Sequence, residues 1–238
     1  MISLERLLAR NLPCSRKEAR RLLDRTREEL PGELSAAALP CRISVGGQSV
    51  ELHDSFHLML NKPAGCVTAL ADQTHDTASA CIQGAPLFPE LRPVGRLDLD
   101  TTGLLLWTTD GSWLHKLTHP RSAVQRTYHA VLERPFGPLP EALVLRDGHR
   151  PRILDLRLLQ ASETHPSLLK PASANIFATI TIAGGAYHEI RRIFAALGSH
   201  VSSLCRVSFG ALEMPADLAL GQWCPVMKED VDRPRTLV

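Results

Sequence analysis

The sequence predicts an α+β chain in which a mixed, mostly antiparallel central sheet follows a small N-terminal helical domain. Three observations carry that prediction. From Phe56 onward, short runs of apolar and β-tolerant residues alternate with loops, in a chain holding 17 Pro and 15 Gly, as in sheet proteins with many turns. Ile190, Ile193, Phe194 and Leu197 recur at the spacing of one helix face, and Gly198 stands where such a helix would end. The first 27 residues combine helical periodicity with an excess of positive charge.

In chain order, Leu4, Leu7 and Leu8 form one apolar stripe, and Ala19, Leu22 and Leu23 form a second. Ser15-Arg16-Lys17-Glu18 reads as a capping box, so the second helix starts at Arg16. Met1 to Arg27 holds eight Arg and Lys against three acids, a local net charge of +5 in a chain whose total is +2, so the remainder is net acidic. Most charge runs are solvated helix faces. Here Arg16, Lys17, Arg20, Arg21 and Arg27 ride opposite an apolar side, the footprint expected of a surface that binds a phosphate backbone. Ile43 to Leu52 forms a hairpin on Gly46-Gly47. It closes a small domain over residues 1–54, with a linker at His53 to Ser55 and a larger domain over 55–238.

Strands are predicted at Phe56 to Leu60, Leu104 to Thr109, Thr127 to Leu132 and Phe177 to Ile182, with weaker ones at Ile153 to Leu159 and Val207 to Leu212. His165 to Pro171 reads as a surface loop, and Asp232 to Val238 as a loose tail. Before the second strand, Asp98, Asp100, Thr101, Thr102 and Gly103 form a polar turn whose side chains bind their own backbone. That turn holds Asp98 at the strand's entrance. It admits a plain structural loop, a magnesium-dependent phosphotransferase of the haloacid-dehalogenase type through Asp98-x-Asp100-x-Thr102, or another carboxylate chemistry. The phosphotransferase motif belongs at the end of an apolar strand, whereas Leu91 to Arg96 is polar and broken. A calcium loop is disfavoured, since its twelfth position, a Glu elsewhere, is Thr109.

Length and composition leave room for one or two domains with a sizeable core, at 238 residues and 44% hydrophobic content. No apolar run approaches the roughly 18 residues of a membrane span, and the arginine-bearing N-terminus lacks the apolar region of a signal peptide. A soluble, cytoplasmic, monomeric protein without membrane contact is expected. The six cysteines form no C-x-x-C pair and read as free thiols. His115 and His119 lack the Glu of a zinc-protease motif, so no metal ligand is assigned.

Four segments together resemble the pseudouridine synthases, in the RsuA-type subfamily that acts on small-subunit ribosomal RNA. They are Leu60-Asn61-Lys62-Pro63-Ala64-Gly65, Gly95 to Gly111, Thr127-Tyr128-His129-Ala130-Val131, and Tyr187-His188-Glu189-Ile190-Arg191-Arg192-Ile193-Phe194, in the family's order from about Phe56 to Pro225. The resemblance implies a fold of the predicted class and an enzyme that converts a uridine in RNA to pseudouridine with no cofactor and no metal. It casts Asp98 as the nucleophile, Arg191 as its ion-pair partner and Tyr128 as a ring that stacks on the target base. Leu204 corresponds to an apolar residue on the pocket's other side, and Arg96 to a side chain that fills the gap the base leaves. Lys62 and Arg192 join the substrate contacts. Gly184 and Glu189 depart from the family, which carries an acid and commonly a Gln at those places, and they imply a looser third-motif loop.

The N-terminal segment resembles the small RNA-binding domain shared by ribosomal protein S-four, degraded beyond Arg25, with Arg16, Lys17, Arg20 and Arg21 as its RNA contacts. The implied partner is ribosomal RNA or a ribosomal subunit precursor. Trp113 to Arg121 looks more like the small-subunit enzyme than its large-subunit relatives. A non-catalytic RNA-binding module of the same fold is the alternative.

Overall fold

The computed structural model describes residues 1–26 and 30–232. The expectations for Arg27 and for residues 233–238 lie outside the described residues. Two short helices open the chain, α1 (Leu4–Asn11) and α2 (Arg16–Asp24). Ser15 and Glu18 form the reciprocal cap, with Glu18 N–H donating to Ser15 Oγ (3.2 Å) and Ser15 N–H to Glu18 Oε2 (2.8 Å). The hairpin β1 (Cys41–Val45) and β2 (Gln48–Leu52) follows. Gly46 and Gly47 both adopt positive φ, +60° and +81°, which a two-residue turn between twisted strands requires. Leu4, Leu7, Leu8, Ala19, Val45, Val50 and Leu52 form a cluster of their own.

The segment read as a linker is tied down. Asn11 exchanges hydrogen bonds with the backbone of His53 (2.9 and 3.0 Å). Arg10 forks between Glu90 (Nε and Nη2, both 2.8 Å) and Asp54 (Nη1, 2.9 Å). These charge-assisted bonds, that to Glu90 foremost, raise the Arg10 pKa.

The larger unit is built on a nine-stranded sheet. Its main strands are β3 (His57–Lys62), β4 (Thr101–Thr108), β5 (Gln125–Leu132), β6 (Ile153–Leu159), β7 (Phe177–Ala183), β8 (Val201–Phe209) and β9 (Trp223–Pro225). The spatial order is β6-β7-β5-β8-β4-β3-β9. Along it only β8 and β4 run parallel. Leu105 and Trp107 enter a core on one face with Tyr128, Ile180, Ile193 and Phe194, whereas Leu104 and Leu106 enter the other with Cys205 and Phe209. A strand covered on both faces needs apolar side chains at successive positions.

At β4–β8 the backbones approach closely. Gly103 has φ +104°, and a Cβ there would lie 2.3 Å from the Arg206 carbonyl oxygen. Helix α3 (Gly111–Thr118) was not anticipated; Asp110 caps it by accepting from Ser112 N–H (2.9 Å) and Trp113 N–H (3.0 Å). Helix α4 (Glu189–Ala196) lies where its periodicity put it, with Gly198 at φ +80° beyond its end.

Three expectations are corrected. The strand expected at Val207 to Leu212 begins at Val201 and breaks at Gly210 (φ +59°), leaving Leu212–Glu213 to fold back on β8. The loop at 165–171 is partly interior, because Ser167 and Leu168 are buried and Ser167 bonds Asn61 and Thr102. Asp232 ends helix α5 (Lys228–Asp232) and pairs with Lys116 at 2.9 Å. No helix among the described residues is long and apolar enough to cross a membrane.

Candidate active site

Asp98 stands in the turn that feeds β4, closed by a hydrogen bond from Thr101 N–H to the Asp98 carbonyl (3.1 Å). The first and second sequence motifs meet there. Gly65 N–H donates to Leu99 O (2.8 Å), and Thr68 and Leu97 bond reciprocally through the Thr68 hydroxyl (3.0 and 3.1 Å). Lys62, fully buried at the end of β3, sends its ammonium to the carbonyls of Pro63 (2.9 Å), Asp98 (3.1 Å) and Thr101 (3.0 Å). Burial lowers its pKa. This corrects the assignment of Lys62 to substrate contact, since its donors are turned inward and hold the turn's carbonyls together.

The Asp98 carboxylate is one-third exposed and faces His188 and Arg191. Its Oδ1 lies 3.5 Å from His188 Nε2, and its Oδ2 lies 3.9 Å from Arg191 Nε. Arg191 is nearer to Asp100, with Nη2 2.8 Å from Oδ2, and its Nη1 donates to Val201 O at 3.0 Å. The expected pair is therefore a fork: Arg191 spans both carboxylates of the turn and is anchored to β8. Between Asp98 and Asp100 stands this guanidinium, where the phosphotransferase reading needs magnesium.

Tyr128 and Leu204, both buried, line the same open pocket as Asp98 and Arg191, and exposed Arg96 stands on its rim. Strand pairing achieves this, with Tyr128 opposite Arg206 and Ala130 opposite Leu204. Arg192 is outside this pocket; it pairs with Asp147 and donates to Tyr187 O (3.1 Å). Arg16, Lys17, Arg20 and Arg21 are exposed on α2 and do not line the pocket.

Glu189 corrects the expectation of a looser third-motif loop. Buried at the start of α4, it accepts from Ala186 N–H (2.8 Å), and its Oε1 lies 2.7 Å from His149 Nε2. A Cβ on Gly184 would come 3.3 Å from Glu189 Oε2. The glycine leaves room for that carboxylate, and an acid there would crowd like charges. The loop is thus pinned from within the helix.

Sequence reasoning missed His188, Arg126 and Arg206, all of which line the pocket. His188 has φ +48° at the N-cap of α4, and its ring stacks on exposed Tyr187 with centroids 3.8 Å apart. An aromatic pair immediately before an amphipathic helix was the available signal. Arg126 and Arg206 carried none, because strand register brings them in. All six cysteines are free, and among the described residues no three His, Cys, Asp or Glu side chains cluster as a metal site.

A family model described as RNA pseudouridylate synthase matches residues 57–196. The chain is 33% identical over 238 residues to the ribosomal small subunit pseudouridine synthase A of Escherichia coli (strain K12), covering 96% of this chain and 97% of that protein. It is 28% identical over 248 residues to the protein of the same name from Haemophilus influenzae, covering 97% and 98%. Among solved structures, one described as a crystal structure of pseudouridylate synthase superposes with a TM-score of 0.58 at 25% identity, covering 98% of this chain and 99% of that one.

Proposed function

The chain belongs to the RNA pseudouridylate synthase family, and from that premise we propose that it isomerises one uridine of small-subunit ribosomal RNA to pseudouridine. Isomerisation of a uridine in ribosomal RNA is the activity that family membership and the full-length relatives support. The choice of small-subunit RNA follows the relatives' names and the Trp113 to Arg121 segment.

One observation carries the site assignment: a partly exposed carboxylate, Asp98, shares a pocket with Tyr128 and Leu204 and faces Arg191 and His188. The reaction must detach the base, turn it and rejoin it through carbon, and nothing is oxidised or reduced. Asp98 supplies the nucleophile. The Tyr128 ring holds the extruded base by stacking, with Leu204 opposite. Arg191 orients Asp98 while Asp100 and Val201 fix its own fork. Arg96 enters the stack where the base has left. No cofactor is required by this chemistry.

Residues 1–54 act as the small RNA-binding domain, through Arg16, Lys17, Arg20 and Arg21 of α2, and residues 55–238 as the catalytic domain. The protein works as a cytoplasmic monomer on ribosomal RNA or a subunit precursor. The test is pseudouridine formation on uridine-containing ribosomal RNA in the presence of a metal chelator. Pseudouridine that forms despite the chelator supports this function, chelator-sensitive phosphate transfer without pseudouridine supports the phosphotransferase, and RNA binding without turnover supports the non-catalytic module.

A further inference from the structure

The pocket has a cationic floor that no sequence motif accounts for. Arg126 of β5 and Arg206 of β8 line the cavity that holds Asp98 and Tyr128, and both guanidiniums lie against Phe209, with Cζ 4.9 and 5.4 Å from the ring centroid. Arg206 is 1% exposed. Its Nε donates to Leu104 O at 2.7 Å, while its Nη2 is buried with no hydrogen-bond partner among the described residues. Arg126 directs Nη1 to the carbonyls of Val124 (2.7 Å) and Gly184. Burial, and then the neighbouring Arg206 charge, lower the Arg126 pKa against weaker opposing effects of Tyr128 and Glu189.

A buried guanidinium with an orphaned donor, and a second, half-buried guanidinium beside it, are costly as they stand. They become favourable when negative charge arrives beside them, as preorganised donors do in a site that stabilises a transition state. Given the isomerisation proposed above, such charge does arrive. When the C1′–N1 bond breaks, its electron pair passes to the uracil and is shared among N1, O2 and O4. If Asp98 first adds to the base instead of the sugar, negative charge again falls on the base's carbonyl oxygens. Rejoining through C5 releases the C5 proton and N1 gains one, so the step needs no oxidant or reductant.

We infer that Arg206, with Arg126 beside it, is a catalytic cation that receives a carbonyl oxygen of the uracil as the glycosidic bond breaks. The site acts on the base and not on the RNA backbone.

The test is the single-turnover rate of C1′–N1 cleavage at saturating enzyme, on RNA carrying uridine or 5-fluorouridine at the target position; a fluorinated C5 has no proton to release, so the bond-breaking step and not the finished pseudouridine is read. Fluorine withdraws electrons from the ring and stabilises the uracil anion, so it lessens the need for the cation. Arg206→Gln should slow the uridine reaction by about 10²–10³-fold with RNA affinity unchanged, and the deficit should be at least about tenfold smaller on 5-fluorouridine. Arg206→Lys should recover part of the rate.

Equal deficits on the two bases, no deficit, or lost affinity with an unchanged saturated rate would each overturn the inference. Should Arg206→Gln fail to fold, the same comparison on Arg126→Gln decides in the same way. A wild-type protein inert on ribosomal RNA overturns the enzymatic reading itself, whereas an active wild type with equal deficits overturns only the role of the arginines.

Discussion

Arg191 lies 2.8 Å from Asp100 and 3.9 Å from Asp98, so one guanidinium joins two carboxylates that are two residues apart. If its work is to orient the reacting carboxylate, its removal is felt in the chemical step. Arg191→Leu should cut turnover by about 10²-fold or more while RNA binding holds, because the partner of a reacting carboxylate matters most in the transition state. Asp100→Asn should cost about tenfold or less, since it loosens the fork without removing the cation. Single-turnover rates beside equilibrium binding check both, and an Arg191→Leu enzyme of normal rate would place the arginine outside the mechanism.

The four cations of α2 are exposed and free to meet phosphates. Replacing Arg16, Lys17, Arg20 and Arg21 together with Ala should weaken RNA binding and reduce the slope of log affinity against log salt by about 0.7 per lost contact. Turnover at saturating RNA should be unaffected. An unchanged slope would assign this face to another partner.

Gly103→Ala should be strongly destabilising. Its φ of +104° disfavours any Cβ, and the added atom would meet the Arg206 carbonyl at 2.3 Å, where β4 and β8 pair. A loss of at least about 2 kcal/mol is expected from strain and overpacking at a buried position. The midpoint of denaturant unfolding reads it directly.

Burial holds two histidines neutral. The pKa of His57, whose Nδ1 is 2.7 Å from Thr108 Oγ1, is lowered to about 4, and so is that of His129. Their folded pKa values lie below the ordinary imidazole value of 6.5, so between those limits the unfolded chain binds more protons. Stability should fall as pH drops through that window, by up to about 1.4 kcal/mol per pH unit for each histidine before solvent screening. His57→Gln should flatten the slope in unfolding experiments run from pH 7 to pH 4.5.

Much of this architecture is legible in the residues, for reasons that can be named. Leu104 to Trp107 reads as a strand because it is covered on both faces, and Ile190 to Leu197 as a helix because one face alone is covered. Asp98, Tyr128 and Arg191, each singled out within a short local pattern, line one pocket. What escaped depends on distant partners. Lys62 looks like a substrate ligand until the carbonyls of the Asp98 turn close around it. Arg126 and Arg206 enter the pocket through strand register across 80 residues of chain. Glu189 looked like a departure from the family pattern, yet it takes the space that Gly184 leaves open.

The central claim is that Asp98 carries the isomerisation of one small-subunit uridine, and base-resolution mapping of pseudouridine in both ribosomal RNAs tests it most directly. Cells lacking the gene are complemented with wild type or with Asp98→Asn, a change that keeps volume and hydrogen bonding while removing the nucleophile. The account predicts that one small-subunit pseudouridine disappears on deletion, returns with wild type and stays absent with Asp98→Asn. Restoration of that modification by Asp98→Asn, or loss confined to the large-subunit RNA, would contradict it.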